Sequence, residues 1–185
     1  MPTPTRTSEK TRNMVYIALF AVLMAVCAWI SVPAAVPFTM QTFAVFLAVG
    51  VLGGRRGTLA IVVYILMGAV GMPVFSHFTG GLGVLFHATG GYILGFLFTA
   101  LILWGMEALL GRKSWVRITS MILGLIACYA FGTVWFMILY TRNTGAIGLG
   151  TALLWCVVPY VIPDLIKMAL ALTLTRRLRT ALKLQ

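Results

Sequence analysis

Residues 160–170 read Tyr160-Val161-Ile162-Pro163-Asp164-Leu165-Ile166-Lys167-Met168-Ala169-Leu170, an apolar run that contains one acid and one base. Only three of the 185 residues are acidic, and Asp164 is one of them. A charge in the middle of a membrane helix costs about 2.5 to 3.5 kcal/mol, so an ionisable residue there is a candidate functional group. Lys167 follows three residues later on the same helical face and is its expected partner. This stretch therefore predicts a membrane helix that carries a charge pair.

The composition of the whole chain supports a lipid environment. Hydrophobic residues make up 61% of the chain and charged residues 9%, well outside the usual range of soluble domains. A helix needs about 20 apolar residues to cross the hydrocarbon core. We predict an all-α integral membrane protein with six transmembrane helices and folded or re-entrant outer connections. The predicted spans are residues 14–32, 38–53, 58–70, 84–106, 116–140 and 151–175.

Basic residues alternate between the connections and predict the topology. They occur before the first span, in the second and fourth connections and after the last span: Arg6, Lys10, Arg12, Arg55, Arg56, Arg112, Lys113, Arg117, Arg176, Arg177, Arg179 and Lys183. The first and third connections have none, and the fifth has only Arg142. The positive-inside rule then places both termini in the cytoplasm. We expect a cytoplasmic segment over residues 1–13, a six-helix domain over 14–175 and a basic cytoplasmic tail over 176–185.

The net charge of +11 is explained by this topology, with contact to anionic membrane lipid as a second role. It gives no reason to expect nucleic-acid binding. The chain has no phosphate-binding Gly-x-x-x-x-Gly-Lys motif, and His77 and His87 do not have the spacing of a helical metal site. Its three cysteines have neither metal-ligand nor disulfide spacing and are expected to pack in the interior. We therefore expect neither an enzyme nor a resident metal or cofactor.

The first and third connections have the composition of a ligand pocket. Residues 31–41 and 71–92 combine glycine, proline, aromatic and small polar residues with no acid, lysine or arginine. Residues 71–81 form the least helical apolar stretch, which we expect to fold back into the protein. Glycine permits close backbone approach, and the polar side chains of Thr39, Gln41, Thr79 and Thr89 offer hydrogen bonds. Such a surface suits a small, mostly neutral molecule. Ordinary solvated turns are the alternative.

Two features have a structural interpretation as well as a functional one. Asp164 and Lys167 could form an ion pair near a helix start, with Pro163 in the first helical turn. Ala18, Ala21, Ala25 and Ala28 lie on one face of the first helix and predict either a docking surface for another subunit or internal packing. The glycine pairs at 50 and 54 and at 91 and 95 favour internal packing.

Five short motifs together resemble the BioY family, the biotin-specific substrate-binding subunits of energy-coupling factor transporters. These motifs are Val36-Pro37-Phe38-Thr39-Met40-Gln41-Thr42, Gly53-Gly54-Arg55-Arg56-Gly57, Pro73-Val74-Phe75 with Gly80-Gly81, Thr89-Gly90-Gly91-Tyr92-Ile93-Leu94-Gly95-Phe96, and Pro163-Asp164-Leu165-Ile166-Lys167. The resemblance runs from the first helix to the last. It implies a subunit in a prokaryotic cell membrane that binds biotin outside and works with a transmembrane coupling protein and a pair of cytoplasmic ATPases.

The resemblance also implies roles for individual residues. Asp164 and Lys167, together with the region of Thr79, Gly80 and Gly81, are expected in the biotin pocket, and the alanine face of the first helix is expected to meet the coupling protein. Some relatives carry Asn in place of Thr79 and Arg in place of Ile93, so other residues are candidates to supply polar contacts. The further candidates for the biotin site are Phe38, Gln41, His87, Thr89, Tyr92, Trp135 and Arg142.

Two other functions remain open from the sequence. The same architecture could bind a different vitamin, or the chain could be a structural or enzymatic membrane subunit without a soluble ligand.

Overall fold

A computed structural model describes residues 6–34 and 36–182. Helices make up most of this part of the chain, with one two-stranded antiparallel hairpin between the first two. In chain order the elements are α1 (Arg6–Trp29), β1 (Ser31–Val32), β2 (Phe38–Thr39), α2 (Gln41–Leu52), α3 (Gly54–Ala69), a 3-10 turn (Ser76–Phe78), α4 (Leu82–Leu85), α5 (Gly90–Leu110), α6 (Ser114–Asn143), α7 (Leu149–Cys156) and α8 (Val158–Ala181).

Four helical segments are long and apolar enough to cross a membrane. They are Glu9–Trp29, Gly90–Leu110, Ser114–Asn143 and Leu149–Ala181. The second predicted span corresponds to α2, which has 12 residues, and the third to α3, which has 16. The structure therefore shows a helical membrane protein with four full-length candidate spans, and α2 and α3 are short in comparison.

Several predicted boundaries are wrong. The first helix ends at Trp29 and the second begins at Gln41, because residues 31–32 and 38–39 pair as strands. The fourth span loses residues 84–89 to a short helix and a turn, after which α5 begins at Gly90. The sixth span is divided at Val157, whose φ and ψ of −124° and −58° depart from α-helical values.

Both ends of the predicted six-helix domain fall inside continuous helices. α1 already begins at Arg6, ahead of the limit at residue 14, and α8 continues to Ala181, beyond the limit at 175. Helix ends and membrane surfaces do not have to coincide, so the division into 1–13, 14–175 and 176–185 stays a prediction about where the membrane begins. Residues 1–5 and 183–185 lie outside the described residues.

The core is centred on α2, which is buried along almost its whole length. It packs against α1, α3, α5 and α8. Hydrophobicity all round a helix is the pattern expected when protein rather than lipid surrounds it. A second, smaller apolar cluster contains Val36, Tyr92, Phe136, Cys156 and Tyr160 and lies beside the hairpin. The three cysteines are free and buried, as predicted.

Helices α5 and α6 pack most closely, because glycines on each helix receive large side chains from the other. A Cβ atom at Gly91 would lie 2.4 Å from Cβ of Trp135, and one at Gly132 would lie 2.3 Å from the ring of Tyr92. Small residues allow this close approach between membrane helices. Internal packing of Gly91 is therefore confirmed.

The alanine face of α1 turns mainly inward. Ala21, Ala25 and Ala28 are 0%, 3% and 0% exposed, and α1 packs against α2 and α3. Only Ala18 of the four is exposed. Three of the four alanines are therefore buried in the isolated chain, where their small side chains allow the neighbouring helices to approach α1. The docking role of this face stays a prediction.

The connection between α3 and α4 folds over the bundle, as expected for residues 71–81. Phe75 is fully buried, and its ring fills the space beside Gly68, where an added Cβ would lie 2.0 Å from it. The amide of Gly81 donates to the carbonyl of Gly68 at 2.7 Å. His77 and Phe78 adopt left-handed φ values of 57° and 56°, which tighten the turn.

The two ends of the bundle differ in chemistry. We call the end that carries the β1–β2 hairpin and the connection from α3 to α5 the hairpin end. The opposite end carries the turn at Gly53 between α2 and α3 and the turn at Gly111 between α5 and α6; we call it the basic end because of its arginines.

Candidate ligand-binding site

A cavity opens among α2, α5, α6, α8 and the hairpin. The space between its walls is about 770 Å³, a figure that includes open solvent at its mouth. Most of the lining is apolar or aromatic, with a few polar side chains. The lining residues are Val36, Pro37, Thr39, Gln41, Thr42, Val45, Phe46, Ser76, Thr89, Tyr92, Ile93, Phe96, Thr99, Leu125, Cys128, Tyr129, Cys156, Tyr160, Asp164 and Lys167.

Asp164 and Lys167 form a buried ion pair in the wall of this cavity. The Lys167 Nζ atom lies 2.9 Å from Asp164 Oδ1. Lys167 is 5% exposed and Asp164 is 3% exposed. Asp164 Oδ1 also accepts from the Thr42 hydroxyl at 2.9 Å, and Oδ2 accepts from the Tyr129 hydroxyl at 2.6 Å. Three donors from three different helices therefore hold the carboxylate.

This pair does not cap a helix start. Asp164 lies in the second turn of α8, and the residue preceding that helix, Val157, makes no side-chain capping hydrogen bond. Pro159 occupies the first turn, whereas Pro163 is inside the helix, which corrects the expected position of Pro163. Pro163 lacks the N–H that would bond to the carbonyl of residue 159, so the helix has one backbone bond fewer directly before Asp164.

The ammonium group of Lys167 is fully engaged by the chain. Its hydrogen-bond acceptors are the Thr39 carbonyl at 2.7 Å, Asp164 Oδ1 at 2.9 Å and the Thr42 hydroxyl at 3.2 Å. The ammonium also lies 4.0 Å from the centroid of the Phe38 ring, a cation–π distance. A lysine has three N–H donors, and this geometry uses all of them. Lys167 is accordingly the counter-ion of Asp164 in this structure.

A second polar network orients Gln41. The Tyr64 hydroxyl donates to the Val74 carbonyl at 3.1 Å, so it must accept from Gln41 Nε2, which lies 2.7 Å away. This order of donors fixes which way the amide faces. Within the described residues, no hydrogen bond engages Gln41 Oε1, which leaves an acceptor on a cavity-lining residue.

Comparisons with known proteins agree on one family. The model of the BioY family matches residues 3–184. The chain belongs to the BioY family. The biotin transporter BioY of Thermotoga maritima is 39% identical over 170 residues, covering 91% of this chain and 96% of the relative. The probable biotin transporter BioY of Pyrococcus horikoshii is 37% identical over 171 residues, covering 92% and 98%.

A solved structure shows the same fold as this BioY chain. It is described as the S-component for biotin from an ECF-type ABC transporter. The TM-score is 0.81, and the match covers 96% of this chain and 95% of the other at 24% identity. At that identity the likeness establishes the S-component fold.

Five of the twelve predicted ligand-binding residues line the cavity of this BioY chain. These are Gln41, Thr89, Tyr92, Asp164 and Lys167. Phe38 lies directly behind the wall, where its ring stacks on Tyr160 with centroids 6.2 Å apart. The structure therefore brings together residues from the first connection, from the start of α5 and from α8.

The other six predicted residues lie outside the lining. Thr79 is exposed and donates its hydroxyl to the Ser76 carbonyl. Gly80 and Gly81 shape the turn that follows. A Cβ at Gly80 would lie 2.2 Å from the Met72 carbonyl oxygen, and Gly81 has a φ of 98°. Trp135 donates its indole N–H to the His87 carbonyl at 3.1 Å. His87 and Arg142 are exposed. Their roles in ligand binding stay predictions.

Sequence reasoning missed the two hydroxyl groups that hold Asp164. Tyr129 lies in the long apolar run of α6, and nothing in that run distinguishes its hydroxyl from other aromatic positions. Thr42 follows Gln41 in the family motif, and this proximity was the signal that could have identified it. Tyr160, which opens the run around Asp164, donates its hydroxyl to the Val36 carbonyl and fixes the first connection against α8.

The arrangement is suited to binding a small molecule. Asp164 Oδ2 accepts one hydrogen bond from the chain, and a carboxylate oxygen can accept a second. The apolar lining can hold a ring system, and Gln41 supplies a neutral acceptor. Among residues 6–34 and 36–182, no group of three His, Cys, Asp or Glu side chains is placed to hold a metal ion.

Proposed function

We propose that this chain is the biotin-binding membrane subunit of an energy-coupling factor transporter. Family membership and the names of the two relatives support biotin as the ligand. The observation that carries the proposal is the Asp164 carboxylate. It is buried in a cavity wall, held by three donors, and one of its oxygens retains an acceptor position.

The chemistry of biotin matches the polar groups of the cavity. Its ureido ring offers two N–H donors, and hydrogen bonds from such donors to a carboxylate in a dry site are charge-assisted and strong. We assign one ureido N–H to Asp164 Oδ2 and propose Gln41 Oε1 as an acceptor for the other. Phe96, Tyr92 and Ile93 supply apolar area for the thioether ring.

The valerate carboxylate of biotin needs a different partner. Lys167 is the cation among the cavity-lining residues, and its three donors are committed. The hydroxyl groups of Ser76 and Thr89 also line the cavity, and within the described residues no hydrogen bond engages them. We propose that they meet the carboxylate, with Arg142 as a further contact if its connection closes over the cavity.

Calorimetric titration of the purified chain with biotin tests the role of Asp164. Replacing Asp164→Asn changes the acceptor that meets the ureido group, and one lost hydrogen bond to a charged group is worth about 1.5–3 kcal/mol. We expect biotin affinity to fall by about tenfold to a hundredfold or more. Affinity equal to that of the unmodified chain would exclude a direct contact.

The Tyr129 hydroxyl provides a milder test of the same site. Tyr129→Phe removes one of the donors to Asp164 and should weaken biotin binding about tenfold, whereas Tyr140→Phe in the same helix should have no effect because Tyr140 does not line the cavity. Equal losses in the two variants would indicate a general disturbance of α6.

The identity of the ligand is tested separately. A mass spectrum of the denatured, freshly purified chain should show co-purified biotin, and competition among biotin, thiamine and riboflavin should favour biotin. A preference for thiamine or riboflavin would assign the same architecture to a different vitamin. Binding of none of the three would favour a subunit without a soluble ligand.

We also propose the topology and partners of the subunit. The four long spans together with α2 and α3 would make six crossings, with both termini in the cytoplasm, as the distribution of basic residues suggests. A transmembrane coupling protein and a pair of ATPases would supply the energy for uptake. On α1 we place the coupling contact at exposed Ala18 rather than at the buried alanines, and Ala18→Leu should then lower ATP-driven uptake while biotin binding is retained.

A further inference from the structure

The basic end of the bundle gathers arginines from four elements around the carboxylate of Glu107. Arg56 comes from α3, Arg112 from the turn before α6, Arg117 from α6 and Arg179 from α8. Each is close enough to at least two of the others for mutual repulsion, and each of Arg56, Arg117 and Arg179 is also close enough to Glu107 for attraction. Positive charge is therefore in excess at this end.

Two of these arginines have neutral hydrogen-bond partners in the chain. Arg56 donates to the Asn13 amide oxygen at 2.8 Å, and Arg179 donates to the Gly50 carbonyl at 3.4 Å. Glu107 has one oxygen committed to a helix end, because Oε2 accepts the backbone N–H of Gly54 at 2.7 Å and so caps α3. Among the described residues, Glu107 is the carboxylate close to Arg56, Arg117 and Arg179, and three guanidinium groups outnumber it.

Buried polar atoms without a partner collect at the same end. In the part of the chain that the structure describes, three buried side-chain atoms lack a hydrogen-bond partner: Glu107 Oε1, Arg117 Nε and Thr175 Oγ1. Thr175 lies against Gly50, where an added Cβ would be 2.4 Å from its hydroxyl oxygen, and so belongs to this end. Arg117 is only 9% exposed. Buried groups of this kind are rare in native proteins and point to a bound water, ion or ligand.

The unpaired groups define what would satisfy them. A buried guanidinium needs an anion, and the planar fork of arginine matches the oxygens of a phosphate. Glu107 Oε1 needs a donor and would repel a doubly charged anion, which favours a singly charged phosphodiester that carries a hydroxyl group nearby. The basic end of a membrane protein lies where phospholipid headgroups occur, and basic pockets between helices are a known setting for anionic headgroups.

We propose that Arg56, Arg112, Arg117 and Arg179 form a site for a phosphate group at the basic end, occupied by the headgroup of an anionic phospholipid. The phosphate accepts from Arg117 Nε and its neighbours, and a headgroup hydroxyl donates to Glu107 Oε1. This site is separate from the cavity that contains Asp164, and it does not depend on the identity of the vitamin. A lipid bound there joins the ends of α3, α6 and α8.

The site is tested on the full chain, delipidated in a mild detergent and examined by native mass spectrometry. Phosphatidylglycerol and phosphatidylcholine are added in turn, and inorganic phosphate is added in a third series. We expect retention of phosphatidylglycerol, little retention of phosphatidylcholine, and weakening of phosphatidylglycerol binding by millimolar phosphate. Equal retention of the two lipids would overturn the proposal. Tight binding of inorganic phosphate that excludes phosphatidylglycerol would assign the site to the free anion instead of the lipid.

Two variants connect retention to these residues. Arg117→Gln should lower the affinity for phosphatidylglycerol by about tenfold or more, because it removes a charge-assisted donor. Arg56→Gln should also lower it, whereas Arg55→Gln should change it less than twofold, since Arg55 is the exposed neighbour in the same turn. The pair at 55 and 56 keeps the test decisive if Arg117→Gln does not fold. Equal loss in both members of that pair would indicate nonspecific attraction and refute the site.

Biotin titration of the same variants separates this proposal from the proposed function. Arg56→Gln and Arg117→Gln are expected to bind biotin as the unmodified chain does, because neither residue lines the cavity. A chain that binds no vitamin but retains phosphatidylglycerol through Arg117 would refute the proposed function alone.

Discussion

The coupling between Asp164 and Lys167 allows a quantitative prediction. Each residue is almost completely buried, and their charged atoms are 2.9 Å apart. Asp164→Asn removes the negative charge, so that the Lys167 ammonium has only neutral acceptors, among them Thr39 and Thr42. Lys167→Met leaves the carboxylate with hydroxyl donors and no counter-ion. Removing one partner of a buried ion pair costs about 3–5 kcal/mol, so we expect each single variant to lose stability in that range.

The double variant should lose much less than the sum of the two single variants. With both charges removed, no buried charge lacks a partner. The double-mutant cycle should therefore give a coupling free energy of at least about 2 kcal/mol between Asp164 and Lys167. The free energy of unfolding can be followed in mixed micelles by titration with SDS, with the chain's five tryptophans as fluorescence probes. The control combines Asp164→Asn with Arg176→Met, an exposed charge twelve residues along the same helix, and should be additive within about 0.5 kcal/mol.

The same variants show whether Lys167 touches the ligand. If it acts only as a counter-ion, Lys167→Met should add little to the loss of biotin affinity already caused by Asp164→Asn. Additive stability effects in the main cycle, within about 0.5 kcal/mol, would refute the counter-ion role. A further large loss of affinity in the double variant would show a direct contact with the ligand.

Two further predictions concern packing. Ala21→Leu should lower the free energy of unfolding by about 1–3 kcal/mol because it adds volume to a fully buried site. Ala18→Leu, at the surface of the same helix, should change it little. Equal effects of the two variants on SDS unfolding would argue against the inward orientation of Ala21. Gly95→Ala should destabilise the α5–α6 pair, since its Cβ would lie 2.7 Å from the Cys128 sulfur. Gly105→Ala places its Cβ in open space and should be neutral or slightly stabilising. Thermal melts that rank the two variants in the opposite order would contradict this packing.

Long-range periodicity and charge made the general architecture predictable, and local backbone geometry limited the detail. The sequence predicts the long apolar helix α6 to within three residues at each end and α5 to within six, because long apolar segments have few other structures available in a membrane. The sequence does not fix the position of the division at Val157. It depends on one residue's φ and ψ in an otherwise continuous apolar run, and Pro159 and Pro163 indicate only its neighbourhood.

The candidate site was predictable in part for a similar reason. Asp164 and Lys167 stood out because charges are rare in this chain, and the structure places them together in the cavity wall. Tyr129 could not be found in the same way, since a tyrosine in an aromatic-rich helix has no distinctive cost. Its importance depends on how α6 and α8 are juxtaposed, which a sequence without aligned relatives does not reveal. The glycines at 80 and 81 stood out as well, and in the structure they shape a turn outside the lining.

The complete engagement of Lys167 has a consequence for how tightly a ligand can be held. Thr39, Thr42 and Asp164 immobilise the ammonium before any ligand arrives, so the loss of side-chain entropy and the dehydration of both charges belong to folding rather than to association. An incoming molecule meets a preorganised acceptor and need not reorder the long lysine chain. Preorganisation of this kind raises affinity without enlarging the interface, which suits a protein that must capture a scarce small molecule.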